Sequence, residues 1–143
     1  MKILLLTGLL LVSYAMAYAQ QTSRETYLVC EDKVFTRVET LPDFKNGKAA
    51  FEDSLTQELK RKNKLPQKGS ITYGFVLTMQ SQLVDVKAVN GDVSNEEALR
   101  KALKGTADNW IPANQNGHAV CAYIYLTLDF SKDKLETKVF QKY

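Results

Sequence analysis

Apolar residues recur along this chain in two rhythms, and each predicts a different element. After Asn46, Phe51, Leu55 and Leu59 return every four residues, with Ala50 beside them and Glu52, Asp53, Gln57 and Lys60 elsewhere. A stripe of that period predicts an amphipathic helix running to about Lys62. Asn46 is its expected N-cap, and the basic run Lys60-Arg61-Lys62 suits the negative end of the helix dipole. Over residues 70–80 the period falls to two. Ile71, Tyr73, Phe75, Leu77 and Met79 alternate with Thr72, Gly74, Val76, Thr78 and Gln80, which predicts a half-buried strand. A second strand is expected over residues 83–89, with Val84, Val86 and Ala88 on one face, closing a hairpin around Ser81. Ser94-Asn95-Glu96-Glu97 reads as a capping box, with Ser94 as N-cap. It opens a second helix bearing Ala98, Leu99, Ala102 and Leu103 on one face, with Gly105 as a left-handed terminator. The longest strand is expected over residues 119–130. Val120, Ala122, Ile124, Leu126, Leu128 and Phe130 share one face of it; Cys121, Tyr123, Tyr125, Thr127 and Asp129 share the other. Residues 131–143 are charged but carry Leu135, Val139 and Phe140, a pattern that suits a short helix or a short strand equally.

The order helix, strand, strand, helix, strand predicts a two-layer α+β domain, a three-stranded sheet whose apolar face is covered by two helices. Gly, Pro and polar residues punctuate the links, notably Leu41-Pro42-Asp43-Phe44 and Pro66 to Gly69.

The N-terminus follows a different logic. Lys2 precedes an apolar run over residues 3–12, and Ala17-Tyr18-Ala19 then supplies small residues before Gln20. This is the three-part form of a secretory signal peptide, cleaved after Ala19. The rival reading is an uncleaved inner-membrane anchor, which needs about 20 apolar residues. The expected organisation is a leader at 1–19, a flexible polar arm at 20–33, a folded domain at 34–130 and a charged tail at 131–143. Export to the periplasm changes how the cysteines read. In an oxidising compartment Cys30 and Cys121 can pair, and closing so long a loop stabilises by roughly 4–5 kcal/mol in the chain-entropy model. Two free thiols is the other reading, because spacing in sequence gives no distance between the α-carbons.

Composition narrows the chemistry. Nineteen Lys and Arg against 16 Asp and Glu give a net charge of +3, and the charges form no basic stripe, so no nucleic-acid partner is expected. One His and two Cys leave little for a metal or catalytic cluster. His118 and Cys121 are an odd number of residues apart on one expected strand, so their side chains point to opposite faces. No Gly-rich phosphate loop or paired-carboxylate motif stands out. The chain therefore reads as a binding protein with no cofactor, not as an enzyme. Tyr123 and Tyr125 are either ordinary strand residues or part of a binding surface, since Tyr combines contact area with a polar tip.

One segment is more specific. Trp110, Pro112, Asn116, Gly117 and Val120 stand in the spacing Trp-x-Pro-x-x-x-Asn-Gly-x-x-Val. This segment resembles the corresponding stretch of TonB C-terminal domains. The entry around Leu41-Pro42-Asp43-Phe44, the first helix start at Asn46-Gly47 with Ala50-Phe51, and the second at Asn95 to Leu99 are similar in the same order. The resemblance implies a small antiparallel sheet with its helices on one face. It also implies a periplasmic module that grips the TonB box of an outer-membrane transporter by strand addition. The implied edge is the last strand, through Val120, Cys121, Ala122, Tyr123, Ile124, Tyr125, Leu126, Thr127 and Leu128; the same edge could serve a homodimer. With 14 residues and no Pro between Ala19 and Val34, the chain reads as a stand-alone module. The alternative is an anchored energy transducer supporting transmembrane transport.

Overall fold

The computed structural model describes Cys30 and residues 33–142. The chain falls into two units, Met1–Asp32 and Lys33–Tyr143, and the fold is that of the second. The expected leader, and the arm up to residue 29, lie outside the described residues.

Helix α1 (Lys48–Arg61) buries the stripe Phe51, Leu55 and Leu59. Its N-cap is Gly47, not Asn46, and no side chain caps it. Gly47 sits at φ +83°, a backbone state that glycine adopts without a Cβ clash, and its carbonyl accepts the N–H of Phe51. The far end closes as a Schellman turn. Asn63 is left-handed, its N–H bonds the Lys60 carbonyl, and the Lys64 N–H bonds that of Leu59 at 2.8 Å. Helix α2 (Glu96–Lys104) buries Leu99, Ala102 and Leu103. Here too the expected cap is corrected. Left-handed Asn95 occupies the N-cap position, whereas the Ser94 hydroxyl accepts the Gln67 N–H across the adjoining loop. Gly105 ends the helix in right-handed geometry at φ −71°.

The main sheet is antiparallel and has four strands, where the alternation of the sequence predicts three. Its order is β3 (Leu83–Val93), β2 (Gly69–Leu77), β7 (Ala122–Asp129) and β8 (Glu136–Phe140). The fourth strand comes from the charged tail. Leu135 and Thr137 turn inward and are buried, Val139 packs against the core, and the charged neighbours Glu136 and Lys138 stay in water. A run with only three inward positions is still enough to pair along β7.

Strand β3 departs from simple alternation. Asp85 is left-handed at φ +54°, and the register with β2 slips twice. These irregularities shift the inward positions to Leu83, Val86 and Val93, leaving Val84 only half-buried and Ala88 exposed. The expected single strand over 119–130 is likewise split at Cys121. Residues before it form a separate hairpin of β5 (Ala113–Gln115) and β6 (His118–Val120). Its two-residue turn is Asn116-Gly117, both left-handed (φ +52° and +78°), the type I′ pattern that matches strand twist.

Between the helices and the sheet lies one apolar core. Trp110 sits at its centre, fully buried in the short strand β4 (Trp110–Ile111), which pairs with β1 (Asp43–Phe44). The indole is walled by Phe44, Phe51 and Phe75, at centroid distances of 4.7, 5.6 and 5.7 Å. Its Nε1–H donates to Thr106 Oγ1 at 3.0 Å, so the one polar atom of the ring is satisfied. One side-chain amide ties three backbone segments together. Gln141 accepts the Val38 N–H through Oε1 and donates through Nε2 to the carbonyls of Phe35 and Tyr123.

Candidate functional site

The residues expected to form an open edge do not form one. Val120 belongs to the β5–β6 hairpin, Cys121 is the joint, and Ala122, Tyr123, Ile124, Tyr125, Leu126, Thr127 and Leu128 lie in β7. Strand β7 pairs with β2 on one side, from Leu77↔Ala122 to Ser70↔Asp129. On the other side β8 covers it from Tyr125↔Phe140 to Asp129↔Glu136. Phe35 covers the rest, accepting the Tyr123 N–H and donating to the Cys121 carbonyl at 2.9 Å each. An interior strand has no free backbone row, so neither a peptide nor a second copy can add to β7 in this fold.

Among the described residues, the edge strands of the main sheet are β3 and β8. Strand β3 is the longer, but its two register shifts and the positive φ of Asp85 and Gly91 break the row of outward groups. Asn90 also bonds the Gly91 N–H through its own side chain. Bulges of this kind are how sheets discourage pairing at an edge. Strand β8 is regular, with five consecutive pairs and no slip. Its Thr137 N–H and hydroxyl both donate to Glu52 Oε1 on α1, at 2.7 and 2.8 Å. The Thr137 amide therefore faces away from β7, and antiparallel alternation gives Val139 the same outward orientation. Glu52 pins the start of β8 to the helix layer, and Val139 carries its outward backbone pair.

Away from the helices, the sheet carries an aromatic row. Tyr123 and Tyr125 are half-buried there, with rings edge to face at 5.3 Å; Tyr125 stacks on Phe140 of β8 at 5.4 Å. Beneath the row Gly74 admits the Tyr123 ring, because a Cβ at that position would meet the Tyr123 hydroxyl and lie 3.2 Å from a Val89 methyl. Partial burial raises the Tyr123 phenol above its ordinary range, with Tyr125 and Asp85 adding to the shift. Lys142 Nζ lies 4.5 Å from the Tyr125 centroid and Lys138 Nζ 5.8 Å from that of Phe140. Neither lysine has a carboxylate partner among the described residues. Sequence reasoning singled out the two tyrosines but missed Phe140 and the lysines, which only the pairing of β8 brings beside them.

The other expected residues have structural roles. Trp110 fills the core, half-buried Pro112 stands between β4 and β5, Asn116 and Gly117 make the hairpin turn, and Val120 packs against the core. His118 is exposed on β6. Both Cys30 and Cys121 are disulfide-bonded, so Cys121 offers no free thiol to a base. Tyr73 is buried beneath α2 and donates to Glu96 Oε1 at 2.9 Å; burial first, then that carboxylate, push its phenol far above the ordinary range. The surface depressions beside α1 are open. One lies against the 130–135 loop and another against α2. Among the described residues no group of three His, Cys, Asp or Glu side chains converges as metal ligands would.

Compared with known proteins, the chain matches no family model, no curated protein and no solved structure.

Proposed function

We propose that this chain is a TonB-C-terminal-like binding module of the periplasm that acts by holding an extended protein segment, without catalysis. The segment of an outer-membrane transporter, or of another partner, adds as a strand to the last strand of the sheet. That strand is β8, one position further out than the resemblance implies. The observation carrying this reading is the outer edge of β8: regular in register, unpaired by another strand among the described residues, and presenting the backbone groups of Val139. Support also comes from the Trp110 to Val120 segment. Its Trp, Pro and Asn-Gly positions build the core and the hairpin that lead the chain into the sheet. Main-chain pairing supplies affinity in such complexes, and side chains on alternate positions supply selectivity.

The test is hydrogen exchange on the full chain with a TonB-box peptide in excess. Slowed exchange at Val139, with β3 amides unchanged, is the expected result. Unchanged exchange at Val139 under saturating peptide overturns the reading.

A further inference from the structure

We infer that the aromatic row beside β8 selects acidic segments, so the partner strand carries Asp or Glu on its outward-facing positions. The inference rests on strand addition at β8 and adds a chemical class of partner to it. An added strand places its side chains about 5 Å from those of β8 on the same face. On the aromatic face, the β8 residues it would meet are Lys138 and Phe140, with Lys142 just beyond. Both ammonium groups rest against rings, Lys142 on Tyr125 and Lys138 on Phe140, and the rings themselves stack. A cation held this way is partly positioned before any ligand arrives, so less side-chain freedom is lost on pairing.

Of the other charges on this face, Asp129 is hydrogen-bonded by Ser131 with Lys132 nearby, and Lys87 stands on β3, across the sheet from β8. Glu136, the remaining charged outward residue of β8, is held by Lys132 at 2.8 Å. Asp85 acts on Tyr123 from the β3 side. Among the described residues, Lys138 and Lys142 are the charges of β8 and the two positions after it that have no ion-pair partner. The alternative occupants fit less well. A nucleic-acid base would stack on a bare ring face, and here the lysines lie on the rings. A neutral sugar would leave both ammonium groups without a counter-charge. On an extended peptide, alternate residues share a face about 7 Å apart, so carboxylates at such positions meet the lysines without displacing them from the rings.

The probe is a pair of nine-residue peptides with the same Val and Thr backbone, one carrying Glu at alternate positions and the other Gln. Each is titrated into the full chain and into the double variant Lys138→Gln/Lys142→Gln, whose melting temperature is checked against the parent. Two exposed ion pairs predict about tenfold tighter binding of the Glu peptide, with the advantage lost in the double variant and in high salt. Equal affinity for the two peptides, or an advantage that survives in the double variant, overturns the inference. Hydrogen exchange at Val139 in the same samples separates the layers. Protection without a Glu preference leaves strand addition standing and removes the acidic selection; a lysine-dependent Glu preference without protection shows charge attraction away from the edge and overturns strand addition together with the inference that rests on it. Tight binding of a poly-dT oligonucleotide or of anionic vesicles, with neither peptide retained, overturns both.

Discussion

Trp110 concentrates more of the fold than any other side chain described. It is fully buried among three aromatic rings drawn from β1, α1 and β2, and its one polar atom has a partner in Thr106. Trp110→Ala is expected to cost about 3–5 kcal/mol, the range for truncating a large aromatic in a close-packed core. Thr106→Val keeps the shape but orphans the indole N–H, and should cost about 1–3 kcal/mol. Urea unfolding of each variant checks both figures. Tyr73 gives a pH signature at the same scale. Its folded pKa is raised, so the protonated phenol is the form the fold favours. Its contribution to stability is complete below the unfolded value of about 10, and is lost as pH rises from there toward the folded value. Unfolding midpoints measured from pH 8 to 11 should therefore fall at the alkaline end, and less steeply in Tyr73→Phe.

At the scale of elements, β8 decides what kind of surface the sheet has. A chain ending at Phe130 would leave β7 with a bare edge and would uncover part of the core beneath Leu135 and Val139. Such a chain is expected to self-associate, by size-exclusion chromatography with light scattering, where the full chain elutes as a smaller species. The sequence made the helices and β2 readable, because each repeats its period over three or more apolar positions and buries most of that stripe; the expected strand overran, since β2 ends at Leu77 with Met79 half-buried in the turn, and Val76 and Thr78 of the opposite face are buried as well. Strand β8 was ambiguous because Leu135, Thr137 and Val139 give only three inward positions among the six charges of residues 131–143, and Thr does not announce burial. What makes Thr137 an inward residue is Glu52, 85 residues earlier, and no local pattern contains that partner. Strand β3 misled for a different reason. A single left-handed residue, Asp85, shifts the alternation that follows, and nothing in the string Leu83-Val84-Asp85-Val86 marks it. The Asn116-Gly117 turn is the opposite case, a hairpin signal present in the sequence whose flanking strands, three residues each, are too short for their alternation to be read. For the site, Tyr123 and Tyr125 were legible from strand parity. Their companions Phe140, Lys138 and Lys142 depended on β8 and were not.

Across the whole molecule, the oxidised cysteines and the leader expected from the sequence make one joint prediction. Protein recovered from the periplasm should have a mass that begins at Gln20. Denatured without reductant it should take up no alkylating reagent, and after reduction it should take up two equivalents, both read by intact mass. The amide of Gln141 bears on the molecule at this scale too. It supplies both an acceptor and donors, serving Val38 with one atom and the Phe35 and Tyr123 carbonyls with the other. A carboxylate has the first property and lacks the second. Hydrolysis of that one amide during storage, or its replacement in Gln141→Glu, would set a negative oxygen against two carbonyls. The segment around Phe35 would then part from the end of β7. Chemical ageing at a single side chain would thus hand the sheet a second place to recruit a strand, in a molecule otherwise unchanged in sequence length, core and charge pattern elsewhere.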